Sequence, residues 1–214
     1  MNRRYLLVCI FLLLLTLGAT AYVYPDLPAI VPIHWNMQGE VDGYGARWSL
    51  WLTGPGLVGG IVMLRYLQPW LPRGRGTAPP PATFDHIVTV IAALAACIHL
   101  VLLAAILGVA FDMGRVLAGL MFAMLILVGN PIAKVRRNEY LGIRTPWTLA
   151  NDKVWYATHR MGSKVLVGSG AAGLLGLLAG MPTSLLMTLI VAAAIAPIVY
   201  SLLLYKRLER AGEL

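Results

Sequence analysis

The stretch N-E-Y-L-G-I-R-T-P-W-T-L-A-N-D-K-V-W-Y-A-T-H, residues 138–159, is the longest polar and aromatic island in an otherwise oily chain. Long apolar runs flank it on both sides, so it reads as a loop between two helices that cross a bilayer. Of 214 residues, 59% are hydrophobic and 12% are charged. A typical soluble domain has about 45–50% apolar and about 25% charged residues. A water-soluble fold of this length has too little interior to hide the difference. A hydrocarbon core takes spans of about 20 apolar residues, and about six fit around the island. The expected fold class is all-α, a polytopic membrane helical bundle of about six transmembrane helices.

The net charge of +8 raises the question of a nucleic-acid partner, and its distribution answers it. Arg3 and Arg4 lie at the start, Arg65, Arg73 and Arg75 after the second apolar run. Lys134, Arg136, Arg137, Arg144, Lys153, Arg160 and Lys164 lie in and around the island, and Lys206, Arg207 and Arg210 at the end. All these segments fall on one side of a six-span topology, and Arg47 and Arg115 alone fall on the other. That bias is the positive-inside pattern. It predicts both termini and the island in the cytoplasm, and it explains the basicity without direct nucleic-acid contact.

Residues 1–24 begin with Asn2-Arg3-Arg4 and reach Ala19-Thr20-Ala21, which imitates a cleaved signal peptide. The apolar run continues to Tyr24, long enough to span, so an uncleaved first helix is expected, ended by Pro25. Residues 25–48 form an outer loop, with Asp42-Gly43 as a turn signal and Pro28 and Pro32 around a short extended piece. The second span, residues 49–67, carries a kink at Gly54-Pro55-Gly56, and Arg65 is expected to snorkel. Residues 72–85 read as a flexible, Pro-rich cytoplasmic linker between a first helical pair (1–71) and a four-helix region (86–214). Further spans are expected at 86–111, 115–135, 165–180 and 185–204. Gly168, Ala172, Gly176 and Gly180 form a small-residue stripe suited to close helix contact. Cys9 and Cys97 lie inside spans as small apolar filler.

Within the island (134–164), Thr145-Pro146-Trp147 interrupts any helix, because the residue before a proline is pushed to extended geometry. Asn151 reads as an N-cap with Asp152 in the first turn. Val154, Trp155, Thr158, His159 and Gly162 then share one helical face, with Trp155 expected at the membrane interface. Thr158, His159 and Asn138 suit a buried polar clasp. Arg144 can fork onto a carboxylate or phosphate, stack on Trp147, or bind lipid headgroups. In the outer loop, His34, Glu40 and Asp42 are open to three readings: a hydrogen-bonded clasp, peptide recognition with Ile33, Trp35, Asn36 and Tyr44, or metal ligation. Their spacing matches no metal motif. His99, mid-span, suits either a bond to a neighbouring helix or a proton relay. No nucleophile–base–acid set is visible, so no catalytic residue, metal or cofactor is assigned.

The two islands together resemble the SdpI family. The outer loop carries its DUF1648-type pattern: Pro32, then His34 with Trp35 and Asn36, then Gly39 and the end Asp42-Gly43-Tyr44-Gly45, with Arg47 where Lys is common. The inner signature is carried by Asn138, by Gly142-Ile143-Arg144-Thr145-Pro146-Trp147-Thr148-Leu149, and by Trp155 and Thr158-His159. The resemblance implies a multi-span protein of the bacterial cytoplasmic membrane that protects against a secreted killing peptide. It further implies an outer loop (His34, Trp35, Asn36, Gly39, Asp42, Gly43, Tyr44) facing a toxin peptide. The inner island (Asn138, Gly142, Arg144, Thr145, Pro146, Trp147, Trp155, Thr158, His159) would hold a cytoplasmic partner such as a repressor. A peptide or small-solute transporter is the competing reading, a membrane enzyme a weaker one. Oligomeric state is not legible.

Overall fold

The computed structural model describes residues 2–36, 39–70, 81–138 and 140–214. Among them, six helices are long and apolar enough to cross a membrane: Arg3–Asp26, Ser49–Leu67, Ala82–Ile106, Met113–Ile132, Asp152–Leu178 and Thr183–Arg210. The chain divides into two compact units, Met1–Trp70 with Val88–Leu120, and Leu71–Ile87 with Met121–Leu214.

The first unit opens with α1 (Arg3–Val23), capped by the Asn2 side chain on the Arg4 N–H and continued by a 3₁₀ turn, Tyr24–Asp26. Pro25 stands in that turn, where a missing N–H does least harm. A hairpin follows, β1 (Ile30–Trp35) antiparallel to β2 (Val41–Ala46). A compact loop was the sequence expectation for this region, and the structure sharpens it to two strands. Pro32 is tolerated because both strands of a two-stranded sheet are edges. Val31 is fully buried against Leu27, Leu50, Leu102 and Leu103, which seats the hairpin on the helix ends. Helix α2 (Ser49–Trp51) passes through a π segment, Leu52–Gly56, into α3 (Leu57–Leu67). Pro55 has no N–H to give to the Trp51 carbonyl, so the ladder widens there. Arg65, expected to snorkel, is buried within the protein and has a partner.

Helix α4 (Pro81–Ile106) starts earlier than the expected third span. Residues 81–85 of the expected linker are therefore helical, and residues 72–80 lie outside the described residues. Helix α5 (Met113–Ile132) is capped by Asp112, whose Oδ1 accepts the Arg115 N–H at 2.9 Å.

In the second unit a short helix, α6 (Pro146–Ala150), is followed directly by α7 (Asp152–Leu178), and α8 (Thr183–Arg210) packs along α7. The amphipathic helix expected after Asn151 and the fifth span are thus one continuous rod of 27 residues. Gly180, at φ +77°, ends it: the Gly180 N–H bonds Leu177 O and the Met181 N–H bonds Gly176 O. That pair of bonds needs a left-handed residue, which glycine supplies without strain. The small-residue stripe is corrected in part. Gly168 has open space around it, whereas a Cβ at Gly170 would stand 2.7 Å from Phe122 O, and one at Gly173 would strike the Phe122 ring. The face that packs on α5 therefore runs through Gly170 and Gly173; of the expected stripe, Gly176 does meet a neighbouring helix, a Cβ there standing 2.6 Å from the Leu186 side chain of α8.

Candidate functional site

The polar island folds into a clasp held mainly by side chains bonded to backbone groups. Asn138, 1% exposed, uses its whole hydrogen-bonding capacity. Its Oδ1 accepts from the N–H groups of Tyr140 and Leu141, both at 2.8 Å. Its Nδ2 donates to Arg136 O at 2.7 Å and Leu141 O at 3.1 Å. An amide can make these four bonds and no other side chain of its size can. The asparagine thus replaces the secondary structure that a tight loop lacks.

Gly142 follows at φ +119°, and a Cβ there would land on His159 Nε2. The close approach lets the Ile143 N–H donate to His159 Nε2 at 2.9 Å. The other ring nitrogen, Nδ1, faces Trp155 O at 2.8 Å, one turn back on α7. A carbonyl only accepts, so Nδ1 carries the proton and Nε2 is the bare acceptor, which fixes a neutral tautomer. Both nitrogens are committed to backbone, leaving neither for proton transfer or metal ligation. His159 is a positioning residue. Its ring stacks on Trp155, centroids 4.0 Å apart.

Trp155 was expected at the membrane interface. It is instead fully buried, packed with Ile132 and Val135, and its indole N–H donates to Val135 O at 2.8 Å. An indole has a single donor, and burying it requires a partner. The chain end of α5 provides one.

Thr145 is extended, as a residue before proline must be, and forms a reciprocal cap with Thr148. The Thr148 hydroxyl accepts the Thr145 N–H at 2.9 Å and donates to Ile143 O at 2.8 Å, tying α6 back to the loop. The Trp147 indole N–H donates to Ser201 Oγ of α8 at 2.5 Å. Arg137 donates to Leu149 O at 2.7 Å and pairs with Asp152 at 2.9 Å. Asn138, Gly142, Thr145, Pro146, Trp147, Trp155 and His159 are thereby brought together. Thr158 is buried beside them, but its hydroxyl has no partner among the described residues, so it is not part of the clasp's bonding. Arg144 and Pro146 are exposed on its surface. Sequence reasoning missed Ser201, Arg137 and Asp152 as members. Ser201 had a readable signal, as the one small hydroxyl residue in the run Ala196-Pro197-Ile198-Val199-Tyr200-Ser201-Leu202.

The hairpin is a second small polar construction. His34 Nδ1 pairs with Asp42 Oδ1, with the two side chains 69% and 43% exposed. Gly43 lies opposite His34 in the ladder, where a Cβ would press on that residue. Asn36 brackets the turn: Oδ1 accepts the Glu40 N–H at 2.9 Å and Nδ2 reaches Glu40 Oε2 at 3.0 Å. Gly39, at φ +82°, donates its N–H to Asn36 O at 3.0 Å. Glu40 therefore turns to Asn36, away from the His34–Asp42 pair. Among the described residues no three metal-type side chains converge. Trp35 is half-buried against the Val31 cluster, while Ile30, Tyr44 and Trp48 are 63%, 64% and 58% exposed. At the base, Arg47 donates to Leu27 O at 2.8 Å and lies over the Tyr24 ring.

His99, 1% exposed, lies flat against Gly54 in the π segment, where a Cβ would collide with its ring. Thr20 Oγ1 gives its one proton to Thr16 O at 2.7 Å and sits 2.8 Å from His99 Nε2. His99 must therefore be the donor, through Nε2–H, and its Nδ1 has no partner among the described residues.

Comparison with known proteins finds matches in two regions of the chain. Residues 134–201 match the SdpI/YfhL protein family, and residues 11–56 match a domain of unknown function, DUF1648. The chain is 24% identical over 164 residues to Immunity protein SdpI of Bacillus subtilis (strain 168), covering 77% of each chain. No solved structure matches it. The first match takes in the clasp and its α7–α8 scaffold, the second α1 and the hairpin.

Proposed function

We propose that this chain, a multi-span membrane protein that matches the SdpI/YfhL family over residues 134–201, is an immunity protein of the bacterial cytoplasmic membrane. The carrying observation is its similarity to Immunity protein SdpI over 77% of both chains. Cytoplasmic termini follow from the basic segments under the positive-inside pattern. The hairpin then faces outward and engages a secreted peptide through His34, Trp35, Asn36, Gly39, Asp42, Gly43 and Tyr44. Its exposed aromatic and apolar side chains, with one ion pair, suit an amphipathic peptide. The clasp faces the cytoplasm and presents Arg144, Pro146 and the edge of Trp147 to a protein such as a repressor. Asn138, Gly142, Thr145, Trp155, Thr158 and His159 lie behind that surface.

Deleting the gene should sensitise cells to a secreted killing peptide, and the wild-type gene should restore resistance. His34→Ala/Tyr44→Ala should fail to restore it at normal protein levels, because exposed side chains contribute little to folding. Full restoration by that variant would remove the hairpin from the reading. Export of the peptide from proteoliposomes would replace immunity by binding with transport. Arg144→Ala should lose a cytoplasmic partner in affinity capture while leaving the membrane level of the protein unchanged.

A further inference from the structure

We propose that α7 and α8 hold the phosphodiester headgroup of an anionic phospholipid, in a groove lined by Arg160, Ser163, Lys164 and Tyr200. The groove has a volume of about 620 Å³, and Ala133, Ala157 and Met161 complete its wall. Arg160 and Lys164 are one turn apart on α7 and both are exposed. Neither has an ion-pair or hydrogen-bond partner among the described residues. The neighbouring charges differ: Lys153 pairs with Glu213 at 3.3 Å and Arg137 with Asp152 at 2.9 Å. Asp152 and Glu213 are thus paired with other cations, and no carboxylate lines the groove that Arg160 and Lys164 face. A guanidinium fork, an ammonium and two hydroxyls are the donor set a phosphodiester takes.

The position selects a lipid as the source of that phosphate. Lys164 is the last charged residue of α7, and residues 165–178 are uncharged; on α8 residues 183–205 are uncharged. The groove lies where a cationic rung gives way to apolar helix surface, the depth of a headgroup in a bilayer. A second hollow of about 530 Å³, nearer the start of α7, shares Ala157 and Arg160 and is lined also by Asp152, Lys153, Tyr156, Leu204 and Leu208. An acidic protein segment would meet the same cations but has no use for the apolar surface beneath them.

The test adds phosphatidylglycerol or phosphatidylcholine of matched chains to the full-length protein in detergent and counts bound lipid by native mass spectrometry. Phosphatidylglycerol should bind preferentially, and Arg160→Gln/Lys164→Gln should lower its occupancy at least tenfold. Arg210→Gln, a cation outside both hollows, should bind as wild type, and circular dichroism melting checks that each variant folds. Should the double variant misfold, Tyr200→Phe serves, with an expected several-fold loss. Equal binding of the two lipids, or binding indifferent to these substitutions, overturns the proposal. Displacement of the lipid by millimolar inorganic phosphate would reassign the groove to a soluble anion. Displacement by a Glu-rich peptide would reassign it to protein docking.

Discussion

Asn138 has a larger share of the island than its size suggests. Four backbone groups of the loop bond to one buried amide. Asn138→Asp keeps the shape but turns two donors into an acceptor aimed at the carbonyls of Arg136 and Leu141. Buried groups left without partners cost about 1–3 kcal/mol each, so a loss of about 3 kcal/mol or more is expected. Unfolding monitored by intrinsic fluorescence in detergent would read it, and an unchanged midpoint would mean the loop stands without its asparagine. Some of this was legible beforehand. The Asn151 cap was readable because Asn then Asp before a periodic apolar face admits one meaning, and its Oδ1 does accept the Lys153 and Val154 N–H groups. Trp155 was misplaced because an indole is equally at home in a headgroup layer or in a core with one acceptor. Only the position of Val135 O decides between them.

At the level of elements, α7 carries two small-residue registers, and the sequence does not say which one meets a neighbour. Gly168, Ala172 and Gly176 follow the four-residue rule, and Gly176 does meet Leu186 of α8, yet Phe122 and Ile126 of α5 select Gly170 and Gly173. The two registers make opposite predictions. Gly168→Ala meets open space and should stabilise the helix by up to about 1 kcal/mol through propensity alone. Gly173→Ala collides with the Phe122 ring and should destabilise, and Phe122→Leu in the same chain should recover part of the loss. Thermal melts of the four variants check this. Loss of stability in Gly168→Ala would return the packing face to the register first read. The hairpin was half visible in the same sense. Its Gly-rich turn chemistry was readable, while its register, set by irregularities around His34, was not.

For the whole molecule, composition and charge were the strongest signals, because a bilayer forbids most alternatives. The number of spans and their approximate places were readable; their ends were not, since α4 begins among residues first read as linker. The charge bias also predicts an orientation for the chain, and cysteine labelling tests it. In a background with Cys9→Ala and Cys97→Ala, Glu40→Cys should react with an impermeant maleimide on intact cells. Arg144→Cys should react only after permeabilisation. The reverse pattern would invert the protein and exchange the roles proposed for the hairpin and the clasp.

Helix α7 runs unbroken from its Asn151 cap to its Gly180 stop. At 1.5 Å per residue it is a strut of about 40 Å. Its first turns carry Trp155 and His159, and its later turns carry the glycines seated on α5. With no hinge between the two ends, a load on the loop cannot be absorbed locally by melting a joint. It must be transmitted as rotation or sliding of the entire strut against α5 and α8. A ligand gripping the island would be felt, mechanically, in the middle of the bilayer.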